Sequence, residues 1–99
     1  MCSSDLDADR DAIILYAEDA GRLVGTIRLN TGRAGGLTAG LRRTCGTEAL
    51  ERRLGSHRVS VTSRFVVDPA YLARTLASLL VLRVCGLGVE QGILAAFWV

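Results

Sequence analysis

Ninety-nine residues, 49% hydrophobic and 22% charged, make a single domain, because domains cluster at ~100–150 residues and leave no room for a second. The apolar content excludes disorder, and one proline without periodicity excludes collagen-like and mucin-like chains. The net charge of +2 is mild and the twelve basic residues are scattered, which argues against a nucleic-acid partner.

All twelve basic residues are arginine, a bias that GC-rich coding explains at most positions. At particular positions guanidinium forks suit carboxylates and phosphates. The three cysteines, Cys2, Cys45 and Cys85, are odd in number and far apart, a pattern that fits a reducing cytoplasm and no disulfide framework. With His57 the only histidine, no ligand set for zinc is present and no metal is expected. Cys2 falls on the frayed end, Cys85 reads as a small hydrophobe in an apolar helix, and Cys45 has no adjacent base.

Residues 1–11 read as an acidic, polar leader and lack the features of a signal peptide. Residues 12–18 (AIILYAE) form a strand, Asp19-Ala20-Gly21 a turn in which glycine supplies a positive φ, and residues 22–30 (RLVGTIRLN) a returning strand. Alternation puts Leu23, Gly25, Ile27 and Leu29 on one face and Val24, Thr26 and Arg28 on the other. Residues 31–40 (TGRAGGLTAG) are a glycine-rich loop without the Gly-Lys-Ser/Thr ending of a phosphate-binding P-loop. Residues 47–54 (TEALERRL) read as a short helix with Thr47 as N-cap, Glu48 and Arg52 at i,i+4, and Gly55 as the stop.

Residues 59–67 (VSVTSRFVV) are rich in β-branched side chains and predict a third strand. Asp68-Pro69 ends it and serves as N-cap and N1 of a long apolar helix over 71–89, with Leu72, Leu76, Leu79, Leu80 and Leu87 at helical spacing and Gly86 and Gly88 fraying its end. Residues 93–99 (ILAAFWV) are the last strand, with Phe97 and Trp98 as core. The mostly apolar stretch 76–99 is interrupted by Arg83, Glu90, Gln91 and three glycines, so no membrane span is expected. An antiparallel hairpin followed by a strand–helix–strand unit with parallel end strands is an α+β fold with a mixed sheet.

This order, with the V-D-P-x-Y turn at 67–71, resembles that of the GNAT acyltransferases. Within that superfamily, residues 21–30 (GRLVGTIRLN), 60–69 (SVTSRFVVDP) and the following helix are similar to the N-acyl amino acid synthases, relatives of the acyl-homoserine lactone synthases. The resemblance covers roughly residues 13–99. It implies transfer of a long-chain acyl group from a thioester to the amine of an amino acid. It also implies that the strand at 61–67 splays from its neighbour, so that Phe65, Val66 and Val67 present backbone N–H groups to the thioester and its pantetheine arm, and to the oxyanion that develops during transfer. The helix after Asp68-Pro69 would aim its N-terminus at phosphate, with Ala73, Arg74 and Thr75 around it.

Departures refine the expectation. Leu72 and Thr75 stand where acetyl-CoA-using members carry an Arg/Gln and a glycine, so the backbone cannot wrap a pyrophosphate closely. The expected donor is therefore acyl carrier protein, whose phosphopantetheine presents one phosphodiester, with acyl-CoA as the other donor and no permanently bound cofactor. Val61 occupies the position at which lactone synthases carry a glutamate, and their amino-terminal arginine, tryptophan and aspartate cluster is absent, which argues against autoinducer synthesis.

Arg28 and Arg64, on neighbouring strands, are the candidates to hold the acceptor's carboxylate or the carrier's phosphate; the bland role is pairing with Glu18, Asp19 or Asp68. Ser63 is a candidate donor to the tetrahedral intermediate, against the commoner role of a serine paired across the sheet. Tyr71 is a candidate acid for the leaving thiol, against simple packing. His57 reads as solvated and Asp68 as the helix cap; no side chain is assigned as general base, the amine's proton leaving through water. Complete domains of the superfamily carry further helices and strands on both sides, so residues 12–99 read as a partial domain whose apolar terminal strand invites self-association through its edge. The alternative function is a non-catalytic remnant or interaction module of the same fold.

Overall fold

The computed structural model describes residues 11–32, 36–71 and 75–98. Strands β1 (Ile13–Asp19) and β2 (Arg22–Thr31) form the expected antiparallel hairpin, with Asp19 paired to Arg22 across a two-residue loop. Both loop residues have positive φ, 53° at Ala20 and 78° at Gly21, the geometry whose twist matches that of the flanking strands. The pairing slips between Ala17 and Glu18, leaving Val24 as an extra residue on β2. That bulge corrects the simple alternation: Leu23 turns out to solvent at 58% exposure, while Val24 is buried at 4%.

Strand β3 (Val59–Val67) pairs antiparallel with β2, and β4 (Ala95–Trp98) pairs parallel with β3, giving a four-stranded mixed sheet in the order β1-β2-β3-β4. Two short helices, α1 (Ala39–Cys45) and α2 (Glu48–Leu54), lie between β2 and β3, and a third, α3 (Leu76–Glu90), lies between β3 and β4. One face of the sheet packs on α3 through Ile27, Leu29, Leu80 and Val84. Gly25 permits the close approach, since a Cβ there would sit 3.0 Å from Leu80 Cδ1. The other face is covered at the β3–β4 side by α1 and α2, where Leu37, Val59 and Val61 pack with Leu41, Cys45, Leu50 and Phe97.

Helix α1 falls partly within the stretch read as a loop. Thr38 caps it by accepting from Leu41 N–H at 3.2 Å, and Gly46, at φ 65°, closes it with an N–H bond to Arg42 O. Its Arg42 forks onto the Glu51 carboxylate of α2 at 3.0–3.1 Å, and Glu51 also accepts from Thr47 and Ser56 hydroxyls at 2.7 and 2.8 Å. Thr47 therefore starts α2 without capping it through its side chain; its hydroxyl serves the buried carboxylate instead.

The long helix also starts later than expected. Asp68 Oδ1 accepts from Ala70 N–H, capping a single 3-10 turn over Pro69–Tyr71, and α3 begins only at Leu76. It runs through Gly86 and Gly88 to Glu90, because Ile93 N–H bonds back to Gly88 O and holds the last turn. Trp98 corrects the assignment of both terminal aromatics to the core: Phe97 packs inside, but Trp98 is 48% exposed beside a groove between α3 and β4. Cys85, placed inside by the sequence reading, is also exposed and borders that groove. No helix among the described residues is long and apolar enough to cross a membrane.

Candidate active site

The regular ladder between β2 and β3 is broken at one point. Thr26 pairs with Val66 and Arg28 with Ser63, so Arg64 and Phe65 on β3 face Ile27 alone on β2. Arg64 takes up the extra residue in the left-handed conformation, φ 56°, which a non-glycine residue adopts only when the surroundings impose it. Bulges of this kind re-aim side chains and cluster next to active sites.

Directly across from Ser63, Arg28 is only 3% exposed, and its Nε donates to Ser63 Oγ at 3.0 Å. Burying a guanidinium is costly unless its donors are engaged, so this bond is part of what allows the charge to stay inside the sheet face. Arg28, Arg64, Thr26 and Ile14 line one cleft of about 180 Å³. A second cleft of about 230 Å³, lined by Leu23, Val24, Gly25, Thr26, Val66 and Asp68, adjoins it at Thr26. Ile14 and Tyr16 of β1 pair with Arg28 and Thr26 and are exposed, as is Val66, so this part of the face is open and largely apolar around the arginines.

At the end of β3, Asp68 N–H bonds to Val24 O at 2.8 Å. Successive N–H groups of a strand point to opposite edges, so Val67 N–H faces the β4 side. Among the described residues, β4 accompanies β3 only from Val59 to Thr62. Phe65 and Val66 are exposed and Val67 is half-buried against the α3 core.

Tyr71 lies at the hairpin tip, where its hydroxyl donates to the Asp19 carboxylate and Arg22 pairs with Asp68 at 3.4 Å. The bond to Asp19 stabilises the neutral phenol and raises its pKa above the ordinary tyrosine value. Arg28 lies six positions along β2 from Arg22, about 20 Å at strand rise, so Tyr71 is not brought to the Arg28–Ser63 pair. Asp19 and Asp68 are engaged by Tyr71 and Arg22. Thr75 is exposed and stands at the N-terminus of α3 without a side-chain cap. Ala73 and Arg74 lie outside the described residues. His57 is exposed, and burial raises the half-buried Cys45 thiol above its ordinary pKa.

The structure adds Ile14 and Thr26 to the residues expected from sequence. Thr26 already shared a face with Arg28 by alternation, whereas Ile14 joins them only through the hairpin register. Among the described residues no group of three or more His, Cys, Asp or Glu could hold a metal ion.

The fold is similar to that of an acetyltransferase from Trypanosoma brucei, with 18% identity, a TM-score of 0.63, and coverage of 97% of this chain and 57% of that one. It is also similar to a transcriptional regulator from Bacillus halodurans, with 12% identity, a TM-score of 0.60, and coverage of 97% and 53%. The chain thus spans a little over half the length of either structure, and at these identities the likeness concerns the GNAT-type fold. No curated protein matches the chain. The family model of N-acyl amino acid synthase FeeM matches residues 1–93. That match takes in both strands that carry Arg28 and Arg64 and the helix that packs beneath them, and the chain belongs to the family of N-acyl amino acid synthase FeeM.

Proposed function

We propose that this domain transfers an acyl group from a thioester, carried by acyl carrier protein, to the amine of an amino acid. The observation that carries the reading is the bulge at Arg64 beside the buried Arg28, two guanidinium groups lining one cleft in a chain of this family. Arg28 and Arg64 hold the acceptor's carboxylate in charge-assisted bonds. The neutral amine attacks the thioester carbon and a C–N bond forms. The carbonyl electrons move to oxygen, and the backbone N–H of Val67 meets the oxyanion; Val66 N–H, by the same alternation, turns toward β2 instead. A single such donor is worth roughly 10²–10³ in rate. The C–S bond then breaks, the amine's proton leaves through water, and the thiolate takes up a proton. Tyr71, bonded to Asp19 at the hairpin tip, stands about 20 Å along the strand from Arg28, so the thiolate takes its proton from water.

Lactone synthesis fits less well. Val61, at the position where lactone synthases carry glutamate, is fully buried in the core beneath α1 and α2.

The test supplies palmitoyl-acyl carrier protein or palmitoyl-CoA with each of the twenty standard amino acids. Mass spectrometry follows the N-acyl product and a thiol reagent follows the leaving group. Acceptor-dependent thiol release with the carrier-bound donor supports the reading. Preference for the CoA donor overturns the choice of donor, and no acceptor-dependent release with either donor leaves the non-catalytic interaction module.

A further inference from the structure

We propose that Ser63 is a positioning residue: its hydroxyl fixes the plane of the Arg28 guanidinium and so sets the angle at which that group meets the acceptor's carboxylate. The inference rests on the acyl-transfer reading of the cleft. Three observations converge on it. Arg28 and Ser63 are directly paired across β2 and β3, so the bond joins side chains that stand opposite each other. The donor is Nε, the inner nitrogen, at 3.0 Å. Because Nε–H lies in the guanidinium plane, one bond there removes rotation of the whole planar group and pre-orients the donors of the two terminal nitrogens as a fork. Finally, Ser63 is 6% exposed and does not line the cleft, whereas Arg28 does. A hydroxyl placed behind the arginine acts on a bound molecule through the arginine.

The position also links the two cleft arginines. Ser63 is the last residue in register before the bulge and Arg64 follows it. The same backbone irregularity that turns Arg64 toward the cleft keeps Ser63 opposite Arg28. A serine is small enough to be buried there while keeping an oxygen within reach of Nε.

The experiment compares the full chain with Ser63→Ala and Ser63→Thr. Steady-state kinetics use palmitoyl-acyl carrier protein and the best acceptor from the amino-acid screen. Loss of one hydrogen bond to a charged group is expected to raise the acceptor KM about ten-fold or more in Ser63→Ala. The donor KM and kcat should stay near wild type, and Ser63→Thr should restore the acceptor KM. A fall in kcat with the acceptor KM unchanged overturns the inference and makes the hydroxyl a participant in the chemistry. A Ser63→Ala variant identical to wild type overturns it as well. A second measurement does not need turnover: solvent exchange of the Arg28 Nε–H, assigned in 15N spectra by its loss in Arg28→Lys. Faster exchange in Ser63→Ala, with protection retained in Ser63→Thr, upholds the positioning role even in a preparation that transfers no acyl group, while the missing transfer counts against the proposed function alone. Unchanged protection in Ser63→Ala overturns the inference.

Discussion

Replacing Arg64 by glycine should make this domain more stable than replacing it by alanine, the reverse of the usual order in a β-strand. Arg64 sits at φ 56° in the middle of β3. A left-handed residue with a Cβ carries a steric cost of about 1–2 kcal/mol. Both substitutions remove the guanidinium, so its contacts cancel in the comparison and only the backbone preference remains. Glycine loses about 0.5–1 kcal/mol through its freedom in the unfolded chain. The net expectation is that Arg64→Gly exceeds Arg64→Ala by about 0.5–1 kcal/mol, or several degrees in Tm for a domain of this size. Val66, exposed and in regular pairing with Thr26, provides the internal control. There glycine should be the worse residue by about 0.5–1 kcal/mol. Urea unfolding followed by circular dichroism reads both pairs of variants. If alanine at position 64 is as stable as glycine, the bulge does not hold that residue in the left-handed region, and the account of how Arg64 reaches the cleft fails with it.

Arg64→Lys keeps the charge and the backbone strain but loses the planar fork, so turnover should fall by at least ten-fold while the unfolding midpoint stays within about 0.5 kcal/mol of wild type; equal losses in both would assign Arg64 a structural part only. Hydrogen bonding to Arg42, with support from Thr47 and Ser56, holds the Glu51 carboxyl below the ordinary carboxylate pKa, so the unfolded chain binds the proton first as pH falls. Glu51 therefore stabilises fully above the ordinary carboxylate pKa of ~4.3 and loses that contribution as pH drops through its lower folded value. Glu51→Gln should cost about 2 kcal/mol at pH 7 and flatten the acid limb of a stability profile measured from pH 7 to pH 3, and an unchanged acid limb would exclude Glu51 as its source. For Tyr71, an absorbance titration should show one phenol ionising above pH ~10 that is missing in Tyr71→Phe and moves down in Asp19→Asn, since the carboxylate favours the neutral phenol; no movement in Asp19→Asn would mean that the hydrogen bond does not persist in solution.

Much of the fold was legible residue by residue. The Asp19-Ala20-Gly21 turn, the β-branched run from Val59 to Val67, and the parallel return of β4 after an apolar helix follow from φ preferences, side-chain shape and the handedness of crossovers, all of which act within or between consecutive elements. The placement of Arg28 and Arg64 on neighbouring strands was legible for the same reason. Helix α1 was not. Gly40 and the glycines before it weaken any local helical signal, and a two-turn helix is unstable until Leu41 and Cys45 pack on Val59 and Val61 and Arg42 reaches Glu51. Thr47 looked like a cap because its type and position suit one, and only the buried carboxylate four residues on explains where its hydroxyl goes.

The site divides in the same way. Residue type and strand placement marked Arg28 and Arg64 as candidates, because hydrogen-bonding capacity belongs to the residue itself, whereas the strand end at Phe65–Val67 was implied by the resemblance to the N-acyl amino acid synthases. The bulge that separates Arg64 from regular pairing, the 3% exposure of Arg28, and its bond to Ser63 arise from the register between β2 and β3. A shift of one residue in that register reverses which side chains face the cleft, and the shift costs little locally on either strand. It is selected by the packing of the whole sheet between α3 on one face and α1 with α2 on the other, an energy summed over residues far apart in the chain.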